Sequence, residues 1–335
     1  MLGRVSLAAA VSILAATAGA AAEPHDVRVE ARPLIIDHDN PERKTFGELT
    51  WRGGVVLRSS AGPFGGYSGL AVSADGSELL ALSDRTSWLN MKVRERGGRL
   101  TGVADARIGT LEVRAEWDNP EPARGLEDAE ALAPLNHGKL VGLYYIAFEG
   151  EHRIHRYEFD GTDFSAPTGA LDLPESALRL PGNKAIESLA FLRAGPYEGA
   201  ALAFSERRAH ISGDSLGWMF RNGGVEQLRL KRSGQFDITD IAALPDGGLI
   251  VLERNFAGLI QGVFMRIRRV HPEEIAPGAR LEGEVLYETE GGHMVDNMEA
   301  IAVHTDSGGR IILTVMSDDN YNPLQRTLLM RFAIE

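Results

Sequence analysis

Three glutamates recur at like places in this chain. Glu130-Ala131-Leu132-Ala133, Glu187-Ser188-Leu189-Ala190 and Glu299-Ala300-Ile301-Ala302 each open a short apolar run; a turn and a second apolar run follow, and each copy ends on an acid, at Glu149, Glu206 and Asp318-Asp319. Two further copies begin on a hydroxyl residue, Ser68-Gly69-Leu70-Ala71 ending at Ser83-Asp84-Arg85, and Thr239-Asp240-Ile241-Ala242 ending at Leu252-Glu253-Arg254. Asn183 lies four residues before Glu187 and Asn297 two before Glu299. Carboxylate and amide oxygens converging on one point are what a hard cation such as calcium selects, so Glu130, Glu187, Glu299 and Asn297 are the expected calcium ligands. The three glutamates and Asp84 are the expected catalytic carboxylates. Arg85, Arg207 and Arg254 follow acids directly, and with Lys184 and Asn320 they are the expected grip on an anionic ester, which a metal-bound water would attack.

Each of these groups also has a structural reading. The glutamates can bond backbone N–H groups of a neighbouring repeat, and the acid–Arg pairs can be ion pairs between repeats. Adjacent strand residues point to opposite faces, so only one member of each pair can face a shared centre. Other chemistries are poorly served. Cysteine is absent, which removes disulfides, thiolate metal sites and a cysteine nucleophile. Ser68 and Ser83 lack the Gly-x-Ser-x-Gly setting of a nucleophile elbow, and His152 and His155 share no strand end with the acids, which argues against zinc.

The elements that would carry these groups are hairpins. In the first copy two apolar runs flank Ala74-Asp75-Gly76-Ser77, and in the fourth they flank Pro245-Asp246-Gly247-Gly248. Glycine between short apolar runs marks a tight antiparallel turn. Residues 136–139, 196–199 and 306–309 fill the same place in the other copies. The anchors at 68, 130, 187, 239 and 299 stand 62, 57, 52 and 60 residues apart, close to the period of a four-stranded propeller blade with long loops. The expected fold is therefore a single all-β propeller with five visible blades and room for a sixth in the irregular N-terminal stretch. The hairpins would be the two innermost strands of each blade. Residues 88–93, 153–159, 217–221 and 263–270 read as outer strands. Residues 46–57 have no hairpin partner and are expected to pair with the last blade, where 327–334 is the final strand, closing the ring. Short helical turns are expected at 174–178 and 272–275.

If the glycine turns lie at one end, antiparallel strands bring all the acidic termini to the other. That rim would carry fourteen carboxylates (Asp84, Glu127, Asp128, Glu130, Glu149, Glu187, Glu206, Asp237, Asp240, Glu253, Asp296, Glu299, Asp318, Asp319) against Arg85, Lys184, Arg207 and Arg254. The whole chain has net charge -12, so nucleic acid and anionic membrane are poor partners. Residues 1–22, with Arg4, an apolar run over 5–16 and small residues after it, read as a cleavable signal peptide, cut after Ala20 or Ala22. The expected organisation is that signal, an extension over 23–44 and the propeller over 45–335, a monomer in the periplasm or outside the cell with no membrane attachment after cleavage. The run Ser317-Asp318-Asp319-Asn320-Tyr321-Asn322-Pro323-Leu324-Gln325-Arg326-Thr327 crosses the acidic rim, either as a turn held by Asp and Asn side chains or as a pocket lip offering Asn320 and Gln325.

This closing run, together with Tyr67-Ser68-Gly69-Leu70-Ala71-Val72, Ala81-Leu82-Ser83-Asp84-Arg85 and Asn297-Met298-Glu299-Ala300-Ile301, resembles the bacterial phytase-like domain family, labelled "esterase-like activity of phytase". The similarity covers about residues 45 to 335. It implies an exported propeller with phosphoester or ester hydrolase activity, and true propeller phytases are similar in holding calcium with acidic residues. Their substrate-binding Lys and Arg set has no residue-by-residue match here. Two alternatives stay open beside the hydrolase: a non-catalytic binding propeller that shows its acidic face to a cation or partner protein, and a lactonase-type propeller enzyme with one central metal.

Overall fold

In the computed structural model, which describes residues 23–123, 125–181, 186–206, 213–258 and 262–335, five antiparallel sheets stand around one axis. Each sheet is a blade, and its innermost two strands are the expected hairpin. Blade I runs outward through Tyr67–Val72, Glu78–Ser83, Ser87–Arg96 and Arg99–Thr110. Blade II has Ala129–Pro134, Gly142–Phe148, Arg153–Phe159 and Gly169–Leu171. Blade III has Ile186–Phe191, Ala201–Ser205, Ser215–Arg221 and Gly224–Leu230, with Arg280–Leu281 added in parallel at its edge. Blade IV has Asp237–Ala243, Leu249–Phe256, Val263–Val270 and Glu284–Glu288.

Blade V closes the ring as expected. Asn297–Thr305, Ile311–Asp318 and Thr327–Ile334 are followed outward by Leu49–Arg58 from the other end of the chain, with Leu57 opposite Thr327 and Leu49 opposite Ile334. Among the described residues there is no sixth blade. The N-terminal stretch instead adds His25–Val27 to the outer edge of blade I and Glu30–Pro33 to that of blade V, so one short segment covers edge strands of both blades that meet at the closure. The two expected helical turns are present, at Glu175–Leu178 and Pro272–Glu274.

The core is divided among the blade boundaries. Five clusters of buried apolar side chains are found, each shared by two neighbouring blades; Phe46, Trp51, Tyr287 and Phe332, for instance, pack edge to face between blades IV and V. Burying side chains of this size gives about 1.5–3 kcal/mol each, and distributing them over every boundary lets the ring hold without disulfides. The hairpin turn of blade I also locks onto blade V. Gly76 has φ +72° and a Cβ there would strike the His304 ring, while its carbonyl accepts a bond from Arg331 Nη2 at 2.6 Å.

Candidate functional site

Every innermost strand carries a β-bulge close to its start, and the extra residue is the repeat anchor. Pairing passes from Tyr67 to Gly69, from Ala129 to Ala131, from Ile186 to Ser188, from Ile238 to Asp240 and from Met298 to Ala300, leaving Ser68, Glu130, Glu187, Thr239 and Glu299 outside the ladder. A bulge re-aims the side chain it frees. Five bulges at equivalent heights therefore turn five side chains together near the axis.

What those side chains do depends on their chemistry. Ser68 donates to the Ala129 carbonyl at 2.5 Å and Thr239 to the Met298 carbonyl at 3.0 Å, so both hydroxyls bridge to the next blade at the residue before its own bulge. Asp240 accepts the Ile301 N–H at 2.8 Å. The tie to the neighbour's backbone that the sequence offered to the glutamates is thus made here by Ser68, Thr239 and Asp240. Glu130, Glu187 and Glu299 line a cavity of about 300 Å³ with Ser68, Asp84, Asp128, Glu149, Glu206, Arg254, Asn297, Asp318 and Asn320. Eight of the fourteen rim carboxylates meet there. The others are used elsewhere: Asp237 pairs with Arg232, Asp296 accepts from Arg326, Asp319 from Gly66, and Glu127 from Gly125.

Two residues below each bulge, Leu70, Leu132, Leu189, Ile241 and Ile301 form an apolar ring around a void of only about 40 Å³. The acidic cavity consequently has a hydrocarbon floor and opens at the rim alone. Low polarity beneath and like charges alongside both disfavour ionised carboxylates. Burial, then the charges of Asp128, Glu149, Glu299 and Asp84, hold Glu130 well above the usual carboxylate range. Glu187 is raised well above it by burial, then by Glu130, Glu206 and Glu299. Burial also lifts Asp84, Asp128 and Glu299, the last opposed by Arg254, and pushes Asp318 up to about 7 against a bond from the Asn320 N–H.

The expected pairs divide as strand geometry requires. Asp84 faces the cavity while Arg85 is exposed, its guanidinium 3.7 Å from the centre of the Tyr321 ring. Arg254 faces the cavity, whereas Glu253 is buried within blade IV and accepts from Arg268 at 2.6 Å. Arg254 is held on three sides, by Asn297 Oδ1, Glu299 Oε1 and, at 3.8 Å, Glu206 Oε1. Arg85 therefore does not reach the cavity, and two of the four expected calcium ligands, Asn297 and Glu299, meet a guanidinium. Arg207, Lys184 and Asn183 lie outside the described residues.

The tightest group of carboxylates is elsewhere in the cavity. Asp128, Glu130 and Glu149 place one oxygen each within 4.8 Å of one another. An all-oxygen set with strong mutual repulsion fits a hard cation; of the expected ligands Glu130 belongs to this group, with Asp128 and Glu149 beside it, and Glu187 lines the same cavity outside the group. Both were visible as strand-end acids of blade II. What the sequence lacked was their distance to one another. The closing run serves both of its expected purposes. Asp318 and Asn320 line the cavity, while Asp319 accepts bonds from the Gly66 N–H, the Tyr321 N–H and the Thr327 hydroxyl. Gln325 is not at this lip; it turns toward Asp296.

Among solved structures the chain is similar to a glutaminyl cyclase from Myxococcus xanthus (8% identity, TM-score 0.40, covering 93% of this chain and 97% of that one). It is also similar to a PQQ-bound aldose sugar dehydrogenase from Streptomyces coelicolor (15%, 0.43, 84% and 97%) and an endo-arabinase from Bacteroides thetaiotaomicron (13%, 0.48, 80% and 94%). At such identities and scores these likenesses carry nothing about activity. A search of curated proteins gives no match. A family match does cover most of the chain, residues 62–321, and takes in all five bulges and the carboxylates they gather: the protein belongs to the phytase-like family, described as "esterase-like activity of phytase".

Proposed function

We propose that the acidic cavity hydrolyses phosphoester or related ester bonds with the help of a bound divalent cation. The observation that carries this reading is the meeting of Asp84, Asp128, Glu130, Glu187, Glu299 and Asp318, all with raised pKa, beside Arg254 in one blind cavity. Family membership supports it. Asp318, pushed up to about 7 by burial, can take and give protons at working pH. Asp318 would accept the proton of the attacking water, and a protonated neighbour such as Glu187 would return one to the leaving alkoxide. Asn320 and Arg254 would orient the ester oxygens.

Asp128, Glu130 and Glu149 would hold calcium. When bound, the cation supplies the positive charge that eases deprotonation of water and offsets carboxylate repulsion. An anionic ester entering a cavity whose described lining has eight carboxylates and one cation, already engaged by Glu299, meets repulsion, so this reading requires the metal before the substrate. The test is a panel of p-nitrophenyl phosphate, p-nitrophenyl acetate and a sugar lactone, each with calcium and with chelator. Calcium-dependent turnover of the first or second that is lost in Glu130→Gln is expected. Turnover of the lactone alone would favour a lactonase-type enzyme. Calcium binding with no turnover at all would favour a non-catalytic propeller, a reading to which the engagement of Arg254 by Glu299, Asn297 and Glu206 lends weight.

A further inference from the structure

The Asp318–Tyr321 segment is a wall between two pockets. Asp318 and Asn320 face the acidic cavity, and Asp319 and Tyr321 face a groove of about 450 Å³ on the outer side. Asn320 and Tyr321 hold consecutive left-handed conformations, φ +48° and +50°. Such backbone is costly for non-glycine residues and persists where the surroundings fix it; here Asp318 and Asp319 accept the N–H groups of the two residues at 2.6 and 3.1 Å.

The groove differs from the cavity in both charge and polarity. Val56, Phe64 and Pro323 give it an apolar side, and Arg58 and Arg326 stand on it against a single carboxylate, Asp319. That carboxylate is already spoken for by Gly66, Tyr321 and Thr327. Arg58 is exposed and makes no ion pair among the described residues. Arg326 is ion-paired with Asp296 through Nε at 3.4 Å and its Nη1 lies 2.8 Å from Met294 Sδ, so Nη2 is the part of its fork with no bond among the described residues. Two guanidiniums beside a hydrocarbon surface match an amphipathic organic anion, with a carboxylate for the Arg forks and a ring or chain for the apolar side.

We infer that this groove is a binding site for an organic carboxylate with an apolar body, seated on Val56, Phe64 and Pro323 with its charge on Arg58 and Arg326.

Benzoate is the probe, titrated against the purified protein by calorimetry, with acetate, inorganic phosphate and benzyl alcohol as comparisons. Saturable benzoate binding is expected, weakened roughly tenfold in Arg58→Gln, as loss of a charge-assisted contact predicts, and unchanged in Glu130→Gln. Acetate or phosphate binding as tightly would overturn the apolar contribution, and benzyl alcohol binding as tightly would overturn the charge. Absence of saturable benzoate binding, or its loss in Glu130→Gln, would overturn the site itself. These arms need no turnover and so stand apart from the fate of the hydrolase reading.

Discussion

Arg254, at the end of the second strand of blade IV, bonds Glu299, the bulge residue of blade V, inside the acidic cavity. Burial opposes the arginine's charge, but Glu299, Glu206 and Glu187 together more than offset it. Arg254 of blade IV thus stands between Glu206, at the end of a blade III strand, and Glu299 of blade V, and its removal would take away the guanidinium that both approach.

Arg254→Gln should accordingly destabilise the protein by about 3 kcal/mol at pH 8, as removal of one partner of a buried pair does. The loss should shrink at pH 5, where the released carboxylates take up protons. Chemical denaturation at both pH values measures this. An equal loss at both would show that Arg254 acts through packing rather than charge.

Stability of the metal-free protein should fall as pH rises from 4 to 8. Burial pushes Asp318 up to about 7, from an ordinary aspartate value of 3.8, and Glu130 and Glu187 shift in the same direction. The folded state therefore binds more protons than the unfolded chain. The stabilisation from protonation is complete below the unfolded pKa and lost as pH rises through the folded one. For Asp318 alone the full effect is at most about 4 kcal/mol. A melting temperature that rises between pH 5 and 8 in chelator would contradict the carboxylate environment described.

Calcium should raise the melting temperature at pH 8 and do so much less at pH 5, where protons compete for the same oxygens. Saturation at 100 times the dissociation constant corresponds to about 2.7 kcal/mol. Glu130→Gln should remove most of the effect, and Glu149→Gln likewise. If Asn297→Ala removes it and Glu149→Gln does not, the cation lies by Arg254 rather than in the Asp128–Glu130–Glu149 group.

Thr239→Val should cost about 1 kcal/mol, the usual net worth of a hydrogen bond, because the Met298 carbonyl loses its donor from the neighbouring blade. Ester hydrolysis should be unchanged, since Thr239 ties the ring and does not line the cavity. Denaturant midpoint and turnover measured on one preparation separate the two.

Gly66→Ala should disturb the cavity wall. Gly66 has φ +67°, and a Cβ there would lie 2.5 Å from both Asp84 Oδ1 and the Tyr321 ring. Reduced activity with a melting temperature lowered by several degrees is expected; an unaffected variant would mean that the Asp84–Tyr321 packing is not needed.

The sequence by itself determined the ring and its polarity. Glycine turns and alternating apolar runs are local signals, since φ and the burial of each strand face depend on residues a few positions apart. The return of one pattern at Ser68, Glu130, Glu187, Thr239 and Glu299 therefore sufficed to place the acids on one rim and to pair the chain ends. It also fixed that Asp84 and Arg85, like Glu253 and Arg254, must point apart. Only the tertiary structure decided which member faced inward, because that depends on a bulge and on the facing blade. It drew Arg254 onto Glu299 and Asn297, gathered Asp128 and Glu149 around Glu130, and gave the cross-blade tie to Ser68, Thr239 and Asp240. Such distances arise between residues about twenty to sixty positions apart in the chain, where no local spacing rule reaches.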